Sequence, residues 1–248
     1  MTKNVILRVE GLTKKFGKFV ALENVNVSFP EGQLTAIIGP NGAGKSTFFN
    51  LISGEISPSR GKIYYYDRDI TDVPQYKFSK LGIAKSFQIT NIFPELSTLE
   101  NVRIAIQAMH SKYQLWKNRN ELSSLRDEAY DLLGVVGLQD RAKRRADTLA
   151  HGEQRSLEIA IALACNPRLL LLDEPTAGMS PEETVDLMDL ATKLAVDRTI
   201  LIVEHKMKLI MGISHHLVVF HQGKLLAEGS PDEVRNNDDV KRVYLGSR

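Results

Sequence analysis

The sequence predicts an α/β fold: a mainly parallel sheet covered by helices, an antiparallel β region at the N-terminal end, and an inserted helical block. Three observations predict it. Apolar strand signals at "RLLLL" (168–172), "TILIV" (199–203) and "HLVVF" (216–220) return after a long helical stretch, and a helical pattern separates the first two. Strand, helix, strand repeated in this way implies parallel pairing. Upstream, the buried-strand pattern "QLTAII" (33–38) leads through a glycine-rich turn into a helix, and residues from about 90 to 164 show helical periodicity with no convincing strand. One domain over 1–248 is expected, with 1–89 and 165–248 forming the core and its antiparallel part, and 90–164 the helical insertion.

Each element has a local reason. Residues 4–9 and 19–29 alternate or run apolar on either side of the turn-rich "TKKFGKF", which reads as two strands joined through a loop. "KSTFFNLISG" is a helix stopped at Gly54, and "GKIYYYDRDI" from residue 61 is β-rich. In "STLENV", Ser97 followed by Glu100 is a capping box opening a helix that buries Leu99, Val102, Ile106 and Met109. Residues 110–130, around the single Trp116, are polar enough to read as solvated helix and connection. "SPEETVDLMDLATKLA" has Ser180 as cap, Pro181 at the first helical position and Glu183 closing the box. "FHQGKLLAEG" reads as a hairpin, and "SPDEV" caps a final helix.

Composition bounds the function. The 248 residues are 43% hydrophobic and 25% charged, ordinary values for a folded globular chain. Thirty-two basic and thirty acidic residues give a formal charge of +2, which does not single out nucleic acid as a ligand. Cys165 is the only cysteine, so no intrachain disulfide can form and a cytosolic setting is expected. The N-terminal residues lack a secretory apolar core, and no apolar run approaches the roughly 20 residues that span a bilayer. "IAIALAC" stops at Asn166, Pro167 and Arg168. A membrane role would come through a partner.

The chemistry sits at strand ends. "GPNGAGKST" contains G-x-x-x-x-G-K-[ST] between a strand and a helix, the context that this phosphate-binding motif requires. Its candidate nucleotide contacts are Gly39, Pro40, Asn41, Gly42, Ala43, Gly44, Lys45, Ser46 and Thr47. The glycines let backbone N–H groups converge on an anion, Lys45 pairs with the outer phosphates, and Ser46 is a Mg²⁺ ligand. "LLLLDEP" (169–175) delivers Asp173, placed to support the metal, and Glu174, placed to orient or deprotonate water. "TILIVEHK" puts His205 past another strand end, where an imidazole can reach a γ-phosphate or the attacking water. His215, His216 and His221 lack such placement and read as structural. Gln88, between core and helical block, can touch metal or water while sensing the helices. Phe16 can stack on an adenine face.

Taken in order, Phe16, 39–46, Gln88, "LAHGEQ" (149–154), 173–174 and His205 resemble the ATP-binding subunit of ABC transporters over the whole chain. The resemblance implies a P-loop NTPase core, with ATP and Mg²⁺ as its ligands. It makes "LAHGEQ" the signature loop, whose residues Ala150, His151, Gly152 and Glu153 bind the γ-phosphate of a nucleotide held by a second such subunit. Gly152 permits close backbone approach, and the helix that follows presents N–H groups to an anion. Ala150 stands where the family usually has Ser, and His151 where it has Gly, so backbone donors or His151 must replace a hydroxyl. Ser180 stands where many relatives have Asp.

"EPTAGMSPEE", "VEHKM" and "NNDDVKRVYLG" are most similar to ATPases of branched-chain amino acid importers, although Lys206 and Lys208 replace residues often acidic there. "RAKRR" (141–145) reads as a solvated face. The implied partners are a second ABC ATPase subunit, identical or paralogous, integral membrane permease subunits docking near 88–110, and indirectly a substrate-binding protein. No nucleic acid is expected, and the implied location is the cytoplasmic face of the inner membrane. The alternative is a soluble ABC-type ATPase of DNA repair or translation. Such proteins carry a long coiled coil or two fused ATPase units, and neither is present. A nucleotide sensor without turnover is disfavoured by Glu174 and His205.

Overall fold

The computed structural model describes residues 4–86, 92–110 and 119–245. In chain order its strands are β1 Val5–Phe16, β2 Phe19–Pro30, β3 Leu34–Ile38, β4 Arg60–Tyr65, β5 Arg68–Asp69, β6 Ile83–Ser86, β7 Leu169–Asp173, β8 Thr199–Val203, β9 His216–His221 and β10 Lys224–Gly229. The helices are α1 Lys45–Ile52, α2 Phe78–Leu81, α3 Thr98–His110, α4 Arg119–Val135, α5 His151–Leu163, α6 Pro181–Leu194, α7 Met207–Ile213, α8 Pro231–Asn236 and α9 Asp238–Leu245.

Among the described residues the strands form two sheets. One has the order β10-β9-β3-β8-β7-β6 and is parallel from β9 to β6, with β10 folding back as an antiparallel hairpin. The other, β2-β1-β4-β5, is antiparallel throughout. β3, β7 and β8 are buried on every residue, as expected of strands covered on both faces. Alternation splits their side chains between two cores. Leu34, Ala36, Ile38, Leu170, Leu172, Ile200 and Ile202 pack with the helices α3 to α6. Ile37, Leu169, Leu171, Leu201 and Val203 pack with α1 and the antiparallel sheet. There Phe48 of α1 sits 6.1 Å from the Phe29 ring and 4.9 Å from that of Phe220. Burying each such ring contributes about 1.5–3 kcal/mol, and together they fix the helix that follows the glycine turn.

Two local expectations are corrected. "TKKF" is not a loop: β1 runs on to Phe16, because register shifts after Val9, Leu12 and Lys14 absorb extra residues without ending the ladder. Gly11, at φ +59°, starts this irregular stretch and donates its N–H to Asn26 Oδ1 at 2.8 Å. The chain also does not finish in one helix. Asn237 interrupts it, and its Oδ1 accepts from Asp239 and Val240 N–H groups to start α9. The capping box of α6 forms as expected, with Ser180 Oγ accepting from Glu183 N–H and Glu183 Oε2 from Ser180 N–H. That of α3 is half-formed: Ser97 Oγ accepts from Glu100 N–H, while the Glu100 carboxylate binds Arg103 instead.

Candidate functional site

The glycine turn joins β3 to α1 under tight steric control. A Cβ at Gly39 would lie 2.3 Å from Phe220 O, and one at Gly44 would lie 2.7 Å from Leu22 Cδ2 and 2.9 Å from Ala21 O. Gly44 is also at φ +99°, so a side chain there meets both a clash and a disfavoured backbone. The turn is tied to its surroundings by Ala43 N–H to Pro40 O and by Gly223 N–H to Ala43 O. Among the described residues no side chain caps α1, and its first turn carries no acidic residue. Backbone donors and partial positive charge at that terminus are therefore left to an anion.

Lys45 is 4% exposed, and its Nζ donates to Gly39 O at 2.8 Å and Pro40 O at 3.0 Å. Burial lowers its pKa from the ordinary lysine value, and the charge of Glu174 opposes that shift. Asn41 and Ser46 are exposed at the mouth of the turn, while Thr47 is half-buried.

Neighbouring strand ends supply the carboxylates and the histidine, because β3, β8 and β7 lie side by side in the sheet. Asp173 closes β7. Its Oδ1 is buried and, among the described residues, accepts no hydrogen bond, and its Oδ2 lies 3.9 Å from Lys85 Nζ. Burial raises the pKa of this carboxyl, with Lys85 acting in the opposite sense. An orphaned carboxylate oxygen of this kind fits a cation ligand. Among the described residues no group of three or more His, Cys, Asp or Glu forms a metal cage. The unpartnered Asp173 oxygen fits Mg²⁺, which is commonly held by one or two protein oxygens together with substrate phosphates.

Glu174 follows at φ +44°, its N–H donating to Val203 O at 3.0 Å. Its Oε1 lies 2.6 Å from Nε2 of His205, two residues beyond the end of β8. The sequence reading places both near the reacting water; here they form one hydrogen-bonded pair.

The turn at 149–154 is built differently. Glu153 Oε2 accepts from Ala150 N–H at 3.0 Å, while its Oε1 pairs with Arg141. Ala150 has no side-chain oxygen to reciprocate. Gly152 N–H donates to Glu183 Oε1 at 3.0 Å, and His151 Nε2 lies 3.1 Å from Ala177 O. A Cβ on Gly152 would sit 2.6 Å from that Glu183 oxygen. The turn is thus held against residues 177–183 of its own chain. Among the described residues no hydrogen bond or ion pair joins 149–154 to 39–47.

Phe16 ends β1 and is 50% exposed, with Lys14 Nζ 5.1 Å from its ring centre. Gln88 lies outside the described residues. Two side chains that the sequence reading does not single out also stand in the site. Lys85, on β6, donates to Glu55 Oε1 at 2.6 Å and Asn50 Oδ1 at 3.1 Å while facing Asp173. Glu204 is buried between the loops that carry Glu174 and His205, and accepts hydrogen bonds from both. The sequence signal for each is a charge set in or just beyond an apolar strand. Such a charge is buried only where partners await it.

Comparison with known proteins identifies relatives of the chain as a whole. The ABC transporter family matches residues 22–177. A second family, described as branched-chain amino acid ATP-binding cassette transporter, matches residues 224–248. The chain is 42% identical to the high-affinity branched-chain amino acid transport ATP-binding protein BraF of Pseudomonas aeruginosa, over 97% of this chain and 98% of that one. The ADP conformation of MJ1267, an ATP-binding cassette of an ABC transporter, superposes with a TM-score of 0.85 at 30% identity, covering 98% of this chain and 99% of that one. A dimeric post-hydrolysis state of the ATP-binding cassette MJ0796, bound to ADP and Pi, superposes with a TM-score of 0.76 at 28% identity, covering 91% and 98%.

Proposed function

The chain belongs to the ABC transporter ATP-binding family, and from that premise we propose that it is the ATP-hydrolysing subunit of an importer for branched-chain or related amino acids. The observation that carries the catalytic part is the Glu174–His205 contact of 2.6 Å at two strand ends beside the glycine cradle. Residues 39–47 bind the phosphates through backbone N–H groups, and Lys45 exchanges its bonds to Gly39 and Pro40 for the outer phosphates. Phe16 stacks on the adenine. Glu174 orients the water and takes its proton, and His205 positions that water against the γ-phosphate. Ser46, Asp173 and Gln88 would hold Mg²⁺, which when bound neutralises charge on the phosphates.

The nucleotide is closed in by a second ATPase chain, identical or paralogous, arranged head to tail so that its turn at 149–154 meets the γ-phosphate. The dimeric state of the ADP- and Pi-bound relative supports the pairing of two such chains. No helix among the described residues is long and apolar enough to cross a membrane, so a permease supplies the membrane path. It docks in a groove of about 450 Å³ lined by Tyr76, Phe78, Ala105, Met109 and Ile161, and the chain is peripheral at the cytoplasmic face of the membrane. A substrate-binding protein contributes indirectly. The relative is a transport ATP-binding protein by name, which favours this reading over an ATPase of DNA repair or translation.

Glu174→Gln tests it. ATP binding is expected to persist while hydrolysis falls by about 10²- to 10⁴-fold, leaving an ATP-dependent dimer visible by sedimentation. Hydrolysis at the parental rate removes Glu174 from the proposed role.

A further inference from the structure

We propose that Glu204 is a positioning residue for hydrolysis, one buried carboxylate that fixes the loop carrying Glu174 and the loop carrying His205 relative to each other. The inference rests on the roles given above to those two residues. Glu204 follows β8, whose five residues are all buried and apolar save Thr199, and it is itself only 3% exposed. A carboxylate in such a place is costly unless hydrogen bonds replace its water. Among the described residues it has no ion-pair partner; N–H and O–H donors satisfy it instead.

Those donors come from two directions. Oε1 accepts from Thr176 N–H at 3.1 Å and from Thr176 Oγ1–H at 2.6 Å. Oε2 accepts from His205 N–H at 3.1 Å. Thr176 lies two residues beyond Glu174, in a turn closed by Ala177 N–H to Glu174 O and continued by Met179 N–H to Thr176 O. The turn begins from the left-handed backbone of Glu174, a conformation that persists only where the surroundings enforce it. Glu204 anchors that turn with one oxygen and the start of the histidine loop with the other. The 2.6 Å spacing between Glu174 Oε1 and His205 Nε2 then follows from a shared support. A neutral apolar residue at 204 would fill the space and fix neither loop.

Substitutions separate the two halves. In Glu204→Gln the amide oxygen still accepts from Thr176, but the amide nitrogen opposes the His205 N–H, donor against donor. Thr176→Val removes the O–H donor, and Thr176→Ser restores it. Steady-state kcat and KM for ATP, nucleotide affinity by calorimetry and thermal midpoint are measured on the full chain for all three and for Glu174→Gln. Since none of the changed atoms belongs to the glycine cradle, nucleotide affinity is expected within about twofold of the parent. The kcat of Glu204→Gln and Thr176→Val is expected to fall about tenfold or more, with Thr176→Ser close to the parent.

A Glu204→Gln chain with kcat within about twofold of the parent overturns the inference. So does a joint fall of kcat, affinity and thermal midpoint in both variants, which marks a purely structural carboxylate. If Glu204→Gln does not fold, the Thr176→Val and Thr176→Ser pair decides by the same criteria. Glu174→Gln hydrolysing at the parental rate overturns the reading beneath. An inert Glu174→Gln beside a fully active Glu204→Gln overturns this inference alone.

Discussion

The turns at 39–47 and 149–154 both lead from a small-residue loop into a helix, yet their donors are disposed in opposite ways. At the first, no side chain among the described residues caps the helix and no acid stands in its opening turn. At the second, Glu153 accepts from Ala150 N–H and Glu183 from Gly152 N–H, both within one chain. The first terminus is prepared for an anion. The second already holds two carboxylates of its own chain, so a phosphate from elsewhere must compete with Glu183 for the Gly152 donor. This difference gives physical content to the proposed division of labour, in which one turn grips nucleotide alone and the other engages only when two chains close.

Breaking the first turn should have the largest effect. Lys45→Ala removes charge-assisted bonds to phosphate of about 1.5–3 kcal/mol, so nucleotide affinity in calorimetry should fall by about 10- to 100-fold. Within the glycines the comparison sharpens. Gly44→Ala meets Leu22 and the Ala21 carbonyl as well as a positive φ, whereas Gly42, at φ +77°, has none of the described residues within 4 Å of a new Cβ. Urea unfolding should show a loss of about 2–4 kcal/mol for Gly44→Ala and about 1–2 kcal/mol for Gly42→Ala.

At the second turn the sign reverses, because loss of a group should promote association. Glu183→Ala frees the Gly152 N–H, so ATP-dependent dimerisation measured in a Glu174→Gln background should tighten by about threefold to fivefold. No change, or weaker association, would mean that Glu183 does not compete with the partner's phosphate.

Acid should do the same more gently. The N–H groups of Ser180 and Gly152 hold the Glu183 carboxyl below the ordinary glutamate range. A folded-state pKa below the unfolded one means that the contact's stabilisation is full above the ordinary glutamate pKa of about 4.3. It is lost as pH falls through the lowered folded value. Amide exchange at Gly152, corrected for intrinsic pH dependence, should therefore speed up below that range and stay level above it.

Much of the fold and site was legible because short-range chemistry announces it. The β3–turn–α1 unit, the Asp173-Glu174 strand end, His205 and the Ser180/Glu183 box each depend on residues close in sequence. Other features depend on distant partners. Glu183 looks fully explained by its local cap, and nothing in "SPEE" shows that its other oxygen meets Gly152, thirty-one residues earlier. Lys85 and Glu204 are single charges in or next to apolar strands, a pattern with no spacing to read until β6, β7 and β8 are brought side by side. The polar "TKKF" suggested a loop because bulged pairing keeps a strand going without alternation. By contrast, the break before α9 was within reach, since Asn237 ahead of two aspartates is a helix-start signal.

The most direct test of the two-turn account is the ATPase rate of the purified chain across about a hundredfold range of its own concentration. The account predicts that activity per chain climbs with concentration and levels off as pairs form, and that Gly152→Glu flattens the curve near zero without abolishing nucleotide binding. Activity per chain that stays constant down to the most dilute sample, with Gly152→Glu hydrolysing like the parent, would contradict it.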